Sequence, residues 1–390
     1  MNSVVSRGFM GGPRRKRCSR APREDTRVYQ RTARAFRGNG NGTPPASGRL
    51  GALSRPALMR AIVEARGCRG RRRSAVGDST GPYITRRHDT PHGALMGRQL
   101  IIQFATSANL PALTPDDRVA GEALAALGVR VEPVVWSEHD PGSAGRVAAV
   151  VIRSCWDYHL REREFSAWLD RLERQDLVVI NALPLVRWNL HKKYLHELQQ
   201  SGVPVVPTVW LQRGDERSLR DVLNVTGWRE VVVKPAISAC AYETWHVRSH
   251  DVASGEERFM RLRSTGDVLV QKFLTEITTD GEWSLVFFGS EYSHGARKLP
   301  RPGDFRVQVE HGGCDLSEVP PPTLIDAAAH VVHCLPGSPV YTRVDGVVVD
   351  GVFMLMEVEC IDPFLYFQMH APAAARFAAE VMRRVGDGVQ

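Results

Sequence analysis

From Met96 onward the apolar positions follow two periods, and the switching between them outlines the fold. "RQLIIQFA", "RVEPVVW" and "GRVAAVVIRS" are aliphatic runs of strand length, whereas "TPDDRVAGEALAALGV" and "LREREFSAWLDRLERQ" repeat their apolar residues every three or four positions. Thr114 or an aspartate caps the first helix, and Phe165, Trp168, Leu169 and Leu172 share one face of the second. With "LVVINA" as a short further strand, the pattern predicts a βαβ domain. "NLHKKYLHELQQSGVPVVPTVWL" then reads as helix, turn and extended segment. "REVVVKPAI", "TWHVRS", "DVLVQKFL", "GEWSLVFFG" and "EYSHGARKL" read as successive strands of one antiparallel sheet, with a hairpin turn in "FFGSEY". "PPTLIDAAAHVVHCL" and "APAAARFAAEVMRRV" are helical, and "YTRVDGVVVDGVFMLMEVEC" between them is a hairpin.

That hairpin breaks its own pattern. Glu357 and Glu359 stand two residues apart in an apolar run, so they share a strand face, where like charges repel unless a cation lies between them. A three-residue loop, Val349-Asp350-Gly351, would pair Arg343 with Glu357 and Asp345 with Leu355, and would put Arg343, Asp345, Glu357 and Glu359 on one face. Three carboxylates of this kind make a hard-oxygen set suited to Mg²⁺, with Mn²⁺ as an alternative, completed by phosphate oxygens. A surface hairpin with solvated acids is the competing reading, and the apolar "VVV" and "FMLM" flanks argue against it. Lys234 ends the run "VVVKP" where a lysine can reach a phosphate. The small residues of "AISACAYET" after it let backbone amides approach one without a Walker-type glycine pattern.

Charge divides the chain. Residues 1–95 carry 21 basic against 5 acidic side chains, and residues 96–390 carry 30 against 38, so the net charge of +8 belongs to the first quarter. That quarter is rich in Gly, Pro, Ser and Arg and is expected to be a disordered extension. A nucleic-acid arm and a targeting peptide are its alternatives. The acidic remainder argues against nucleic-acid binding as the main function. No apolar stretch has the length of a membrane span, which points to a cytoplasmic protein, and seven scattered cysteines without a CxxC pair are expected to be free thiols.

Taken in order, "VVVKPAISACA", "VLVQKFLTEI", "GEWSLVFF", "YTRVDGVV" and "MEVECIDP" resemble the ATP-grasp superfamily. The resemblance is strongest to its branch similar to prokaryotic glutathione synthetase, which includes the cyclo-ligase of cycloserine biosynthesis. It implies an α/β and α+β architecture: the extension 1–95, a pre-grasp βαβ domain at 96–188, and two grasp subdomains with antiparallel sheets at 189–265 and 266–390. It also implies an ATP-dependent carboxylate-amine ligase working through an acyl phosphate on a small amino-acid-like or peptide-like substrate. An intramolecular cyclo-ligase is the alternative, and a homo-oligomer is left open. By resemblance, Lys192 and Lys234 approach the nucleotide phosphates, Gln271, Lys272 and Phe273 line the adenine pocket, and Glu276 takes the ribose. Asp345, Glu357 and Glu359 match the metal ligands, and Arg343 matches the arginine ahead of them. Glu359 stands where the better-known ligases have Asn, and the phosphate loop lacks their glycines. Arg306 and Arg153 are candidates to bind a substrate carboxylate bidentately, with Trp156 and Asp157 beside Arg153 at the substrate end. A surface or structural role is the alternative for each arginine, as are core packing for Trp156 and helix capping for Asp157. His294 and His311 are left without a role.

Overall fold

The computed structural model of the protein describes residues 99–141 and 147–388. The Arg-rich segment 1–95, with the three readings attached to it, lies outside the described residues.

The first layer is a parallel sheet of β1 (Leu100–Thr106), β2 (Val129–Val135), β3 (Val147–Ser154) and β4 (Val179–Ile180), in the order β2-β1-β3-β4. Helix Pro115–Ala126 starts at Thr114, whose hydroxyl accepts a hydrogen bond from the Asp117 amide. Helix Glu162–Arg174 buries Phe165, Trp168, Leu169 and Leu172, the four residues its period singles out. Two further helices, Leu183–Asn189 and Tyr194–Gln200, lead out of this layer.

The strands that follow form two sheets, as the resemblance implies, where the strand pattern alone reads as one. β5 (Thr208–Leu211), β6 (Glu230–Pro235), β7 (Trp245–Arg248) and β8 (Val268–Lys272) make an antiparallel sheet in the order β5-β8-β6-β7. β9 (Glu282–Phe288), β10 (Glu291–Leu299), β11 (Cys314–Ser317), β12 (Tyr341–Val349) and β13 (Val352–Glu359) make another, in the order β11-β10-β9-β12-β13. The break has two causes. Helix Val252–Thr265 returns the chain so that β8 enters between β5 and β6. A helical turn at Glu276–Thr279, followed by Gly281 at φ 85°, then separates β8 from β9.

The five-stranded sheet buries both faces. Leu285, Phe287, Val344 and Leu355 pack towards helix Pro322–His333, whereas Val286, Phe288 and Tyr341 pack towards helix Ala371–Gly388 and the first sheet. Alternation carries the second face onward as Ser284 and Glu282 on β9, and as Arg343 and Asp345 on β12. One face is therefore apolar at one end and charged at the other.

The hairpin reaches this result by a different route from the expected one. Val349 pairs with Val352, so the loop is two residues, Asp350 (φ 49°) and Gly351 (φ 81°), a turn with both central residues left-handed. Left alone, that register would pair Asp345 with Met356 and send it to the wrong face. A β-bulge between Asp345 and Gly346 shifts it, so that Asp345 faces Glu357 and Arg343 faces Glu359. Gly346 permits the bulge, because a Cβ there would lie 2.6 Å from the Met354 carbonyl oxygen.

Cys155, Cys240, Cys334 and Cys360 are free thiols as expected. No helix of the described residues is long and apolar enough to cross a membrane.

Candidate active site

The charged end of the five-stranded sheet is the floor of a cavity, and all three sheets or their loops contribute to its walls. Strand register sets the floor. Lys298 on β10 faces Glu282 on β9 and Asp315 on β11, Ser284 faces Asp345, and Asp345 faces Glu357. The Arg343 guanidinium forks onto Asp345 at 2.9–3.1 Å and also bonds Glu359. Lys298 bonds Glu282 and lies 3.3 Å from Asp345, which also accepts from the Ser284 hydroxyl at 2.7 Å. Lys192 bonds Glu357 and donates to the Ser238 carbonyl at 3.0 Å.

These pairings separate carboxylates that look alike in sequence. Burial pushes the Asp345 carboxyl up, but Arg343, Lys298 and Ser284 overcome it and hold it at about 2. Glu357 is lowered too, with Lys192 and Lys234 outweighing its burial. Burial wins at Glu359, against Arg343 and helped by Glu357, and raises it to about 7. Lys234 emerges from β6 on the face opposite the buried Val231 and Val233, and burial lowers it to about 8.

The loop after β6 lines the wall above the floor. Without glycine, Cys240 (φ 51°), Ala241 (φ 54°) and Glu243 (φ 48°) nonetheless adopt the left-handed conformation that turns backbone groups towards a bound anion. Its tip reaches the first layer, where the Tyr242 and His159 rings lie 5.0 Å apart. Elsewhere on the wall Val206, Phe273, Leu274 and Met356 give an apolar surface for a flat ring, with the Gln271 side chain beside them and Phe273 stacked on His246 at 4.2 Å.

The structure thus gathers Lys192, Lys234, Gln271, Lys272, Phe273, Arg306, Arg343, Asp345, Glu357, Glu359 and Trp156 around one cavity. It does not bring in three others. Glu276 opens the helical turn after β8, and its neighbour Ile277 takes the place on the cavity wall. Arg153 is a structural arginine, 2% exposed, bonding Asp117 at 2.8 Å and the Pro363 carbonyl at 2.9 Å. Asp157 accepts from the Trp136 indole at 2.8 Å and makes no cap hydrogen bond with its side chain. His294 also lies elsewhere, bonding the Leu365 carbonyl at 2.8 Å. Sequence reasoning passed over Glu282, Lys298, Asn189 and Asp362 on the cavity wall. For the first two a signal existed, since each is a charge that alternation places beside buried neighbours.

Among the described residues no three acidic, histidine or cysteine side chains form a ready-made metal cage. Arg343 and Lys192 hold the carboxylates instead. This donor set fits a divalent ion that arrives with phosphates, because Mg²⁺ is usually held by one or two carboxylates plus substrate oxygens. Added phosphate charge also needs cations in a cavity that already holds Glu282, Asp345, Glu357 and Glu359.

Residues 102–181 match the family profile described as the N-terminal domain of D-cycloserine synthetase DcsG. The chain is 32% identical over 279 residues to the cycloserine biosynthesis protein DcsG of Streptomyces lavendulae, covering 68% of this chain and 92% of that one. It is similar to the crystal structure of D-cycloserine synthetase DcsG, with a TM-score of 0.66 and 29% identity over 73% of this chain and 99% of that one. A D-alanine–D-alanine ligase from Bacillus anthracis has the same fold, at a TM-score of 0.55 and 15% identity over 73% of this chain and 97% of that one. So does the ATP-grasp ligase PsnB, at 0.52 and 18% over 74% of this chain and 100% of that one. The ordered motifs, the sheet topology, the shared cavity and the extent of these matches lead to one assignment: the chain belongs to the DcsG family and has the fold of the ATP-grasp ligases.

Proposed function

We propose that this protein closes a cycloserine-type ring, joining the carboxylate and the aminooxy nitrogen of one β-aminooxy amino acid. The observation that carries the reading is one cavity lined by an apolar surface, two lysines and a row of carboxylates together with Trp156 and Asp362. Opening the ring amide of cycloserine on paper gives the two reacting groups in one molecule, which makes the reaction intramolecular.

In this reading the substrate carboxylate oxygen attacks the terminal phosphorus of ATP, and ADP leaves. The aminooxy nitrogen then attacks the acyl carbon, the phosphate departs with the bonding pair, and the nitrogen loses a proton. Asp345, Glu357 and Glu359 would hold a Mg²⁺ ion arriving with the nucleotide, which would supply charge neutralisation. Lys192 and Lys234 hold the phosphates, and Arg343 fixes Asp345 and Glu359 in place. Gln271, Lys272 and Phe273 receive the base, and Arg306, kept in position by Asp304 at 2.8 Å, faces the substrate. No protein nucleophile is required, so positioning and electrostatics carry the rate. A cytoplasmic location, where ATP is abundant, belongs to the same reading. Incubation with Mg·ATP and β-aminooxy-D-alanine tests it: the cyclic product supports ring closure, whereas turnover that needs a second amine supports an intermolecular ligase.

Lys234 adds a pH dependence. Burial first, opposed by Glu357 and reinforced by Lys192, brings it to about 8 in the free protein. Bound phosphates stabilise the ammonium, so nucleotide binding takes up a proton wherever the free lysine is partly neutral. ATP affinity is expected to be level well below that value and to fall as pH rises through it. Calorimetry in buffers of different ionisation enthalpy counts the proton, and Lys234→Met should abolish the uptake.

A further inference from the structure

Four carboxylates of the cavity floor have cationic partners: Asp345 and Glu359 have Arg343, Glu357 has Lys192, and Glu282 has Lys298. Asp362 does not. It lies three residues beyond Glu359, lines the cavity, is 7% exposed, and its Oδ2 is buried with no hydrogen-bond partner among the described residues. The nearby Arg153 guanidinium bonds Asp117 and the Pro363 carbonyl; its Nη1 is also buried without a partner, and the group favours the Asp362 anion through space without a hydrogen bond to it. Glu310 and Asp315 line the same cavity without ion pairs, but both are partly open to water, which can satisfy them.

The backbone carrying Asp362 is held at three successive carbonyls. The Trp156 indole donates to Asp362 at 3.1 Å and Arg153 to Pro363 at 2.9 Å, while the Tyr341 hydroxyl shares its one proton among Ile361 at 3.0 Å, Ile180 at 3.0 Å and the nearer Ile152 at 2.6 Å. Three donors from β12, β3 and the loop after β3 thus fix where this carboxyl stands, as a preorganised binding group requires. A buried carboxylate without a partner is costly, and a site that fixes one in a ligand cavity is built for a donor that comes with the ligand.

We propose that Asp362 binds the α-ammonium group of an amino-acid substrate and makes the enzyme select amino acids over the corresponding acids that lack the amine. The inference rests on the ring-closing reading for the identity of the substrate, and it adds to that reading the group that recognises the substrate's unreacting end. Arg153 and Trp156 become positioning residues for Asp362.

The test compares the full-length protein with Asp362→Asn and Glu310→Gln, using β-aminooxy-D-alanine and its des-amino counterpart, 3-aminooxypropanoate. Losing a charge-assisted hydrogen bond should raise the KM for the amino acid about 10- to 100-fold in Asp362→Asn. The KM for ATP should not change, the melting temperature should hold or rise, and the preference for the amino acid over its des-amino counterpart should collapse. Glu310→Gln should keep that preference. An unchanged preference in Asp362→Asn, or its loss in Glu310→Gln instead, overturns the proposal. If the wild type closes no ring, the ring-closing reading fails. The role of Asp362 is then decided by calorimetry of D-serine and 3-hydroxypropanoate binding to the protein with Mg²⁺ and a non-hydrolysable ATP analogue. Tighter binding of D-serine that Asp362→Asn abolishes supports it, and equal behaviour of the two acids overturns it.

Discussion

Glu357→Gln is expected to lower kcat by about 10²- to 10³-fold, the usual cost of removing one preorganised electrostatic contact from a transition state. The substitution keeps shape and removes charge. In the free protein Glu357 bonds Lys192 and is lowered, against its own burial, by Lys192 and Lys234. It therefore stands ionised between the two lysines proposed to hold phosphate, on the strand that also presents Glu359. The amide can neither bind a divalent ion with full charge nor balance the lysines, so metal affinity should fall together with turnover. The variant should still fold, since Glu357 is partly exposed and its strand is held by its neighbours. Measuring kcat and KM for Mg·ATP over a Mg²⁺ titration, with a thermal melt alongside, separates these effects. A variant with near-normal kcat would remove Glu357 from the metal set.

Arg153→Met is expected to destabilise the fold by about 3–5 kcal/mol, because breaking a buried ion pair leaves an uncompensated charge. Arg153 and Asp117 are each 2% exposed, at 2.8 Å from one another. Asp117 also accepts from Thr114 at 2.8 Å and from the Ser154 hydroxyl, so the orphaned carboxylate would sit in a network built around its charge. The guanidinium further lies 5.3 Å from the centre of the Tyr341 ring and bonds the Pro363 carbonyl. It thus joins β3, the helix after β1 and the segment after β13. Chemical denaturation gives the size of the loss, and Asp117→Asn in the same background should recover part of it. A stable Arg153→Met protein with a raised KM for the carboxylate substrate would restore the reading of Arg153 as a substrate contact.

Arg153 shows where sequence reading stops. Its run of buried neighbours in "VVIRS" says that an arginine ends a strand, but its partner Asp117 lies 36 residues away and is assigned only by the packing of the helix against the sheet. Glu276 is off the cavity wall for a local reason: the chain turns helically just after β8, and one residue's difference in that turn puts Ile277 rather than Glu276 on the wall. The charged row was legible because alternation is a local rule. Glu357 and Glu359 share a face whatever their strand pairs with, and so do Arg343 and Asp345. The pairing of the two strands was not legible, since the bulge at Asp345–Gly346 depends on how β12 and β13 meet across a two-residue turn. Helix Val252–Thr265 escaped notice because its apolar residues are sparse among charges, and missing it merged two sheets into one. Asp362 gave no signal in "CIDP", because the lack of a hydrogen-bond partner for its Oδ2 among the described residues is a property of the assembled cavity.

The central claim is that the carboxylate is activated by direct phosphoryl transfer in this cavity, and an isotope measurement reads it directly. With the two carboxylate oxygens of β-aminooxy-D-alanine labelled with ¹⁸O, turnover with Mg·ATP should release inorganic phosphate carrying one ¹⁸O atom, with ADP as the nucleotide product. Unlabelled phosphate, or label appearing in AMP, would contradict the account.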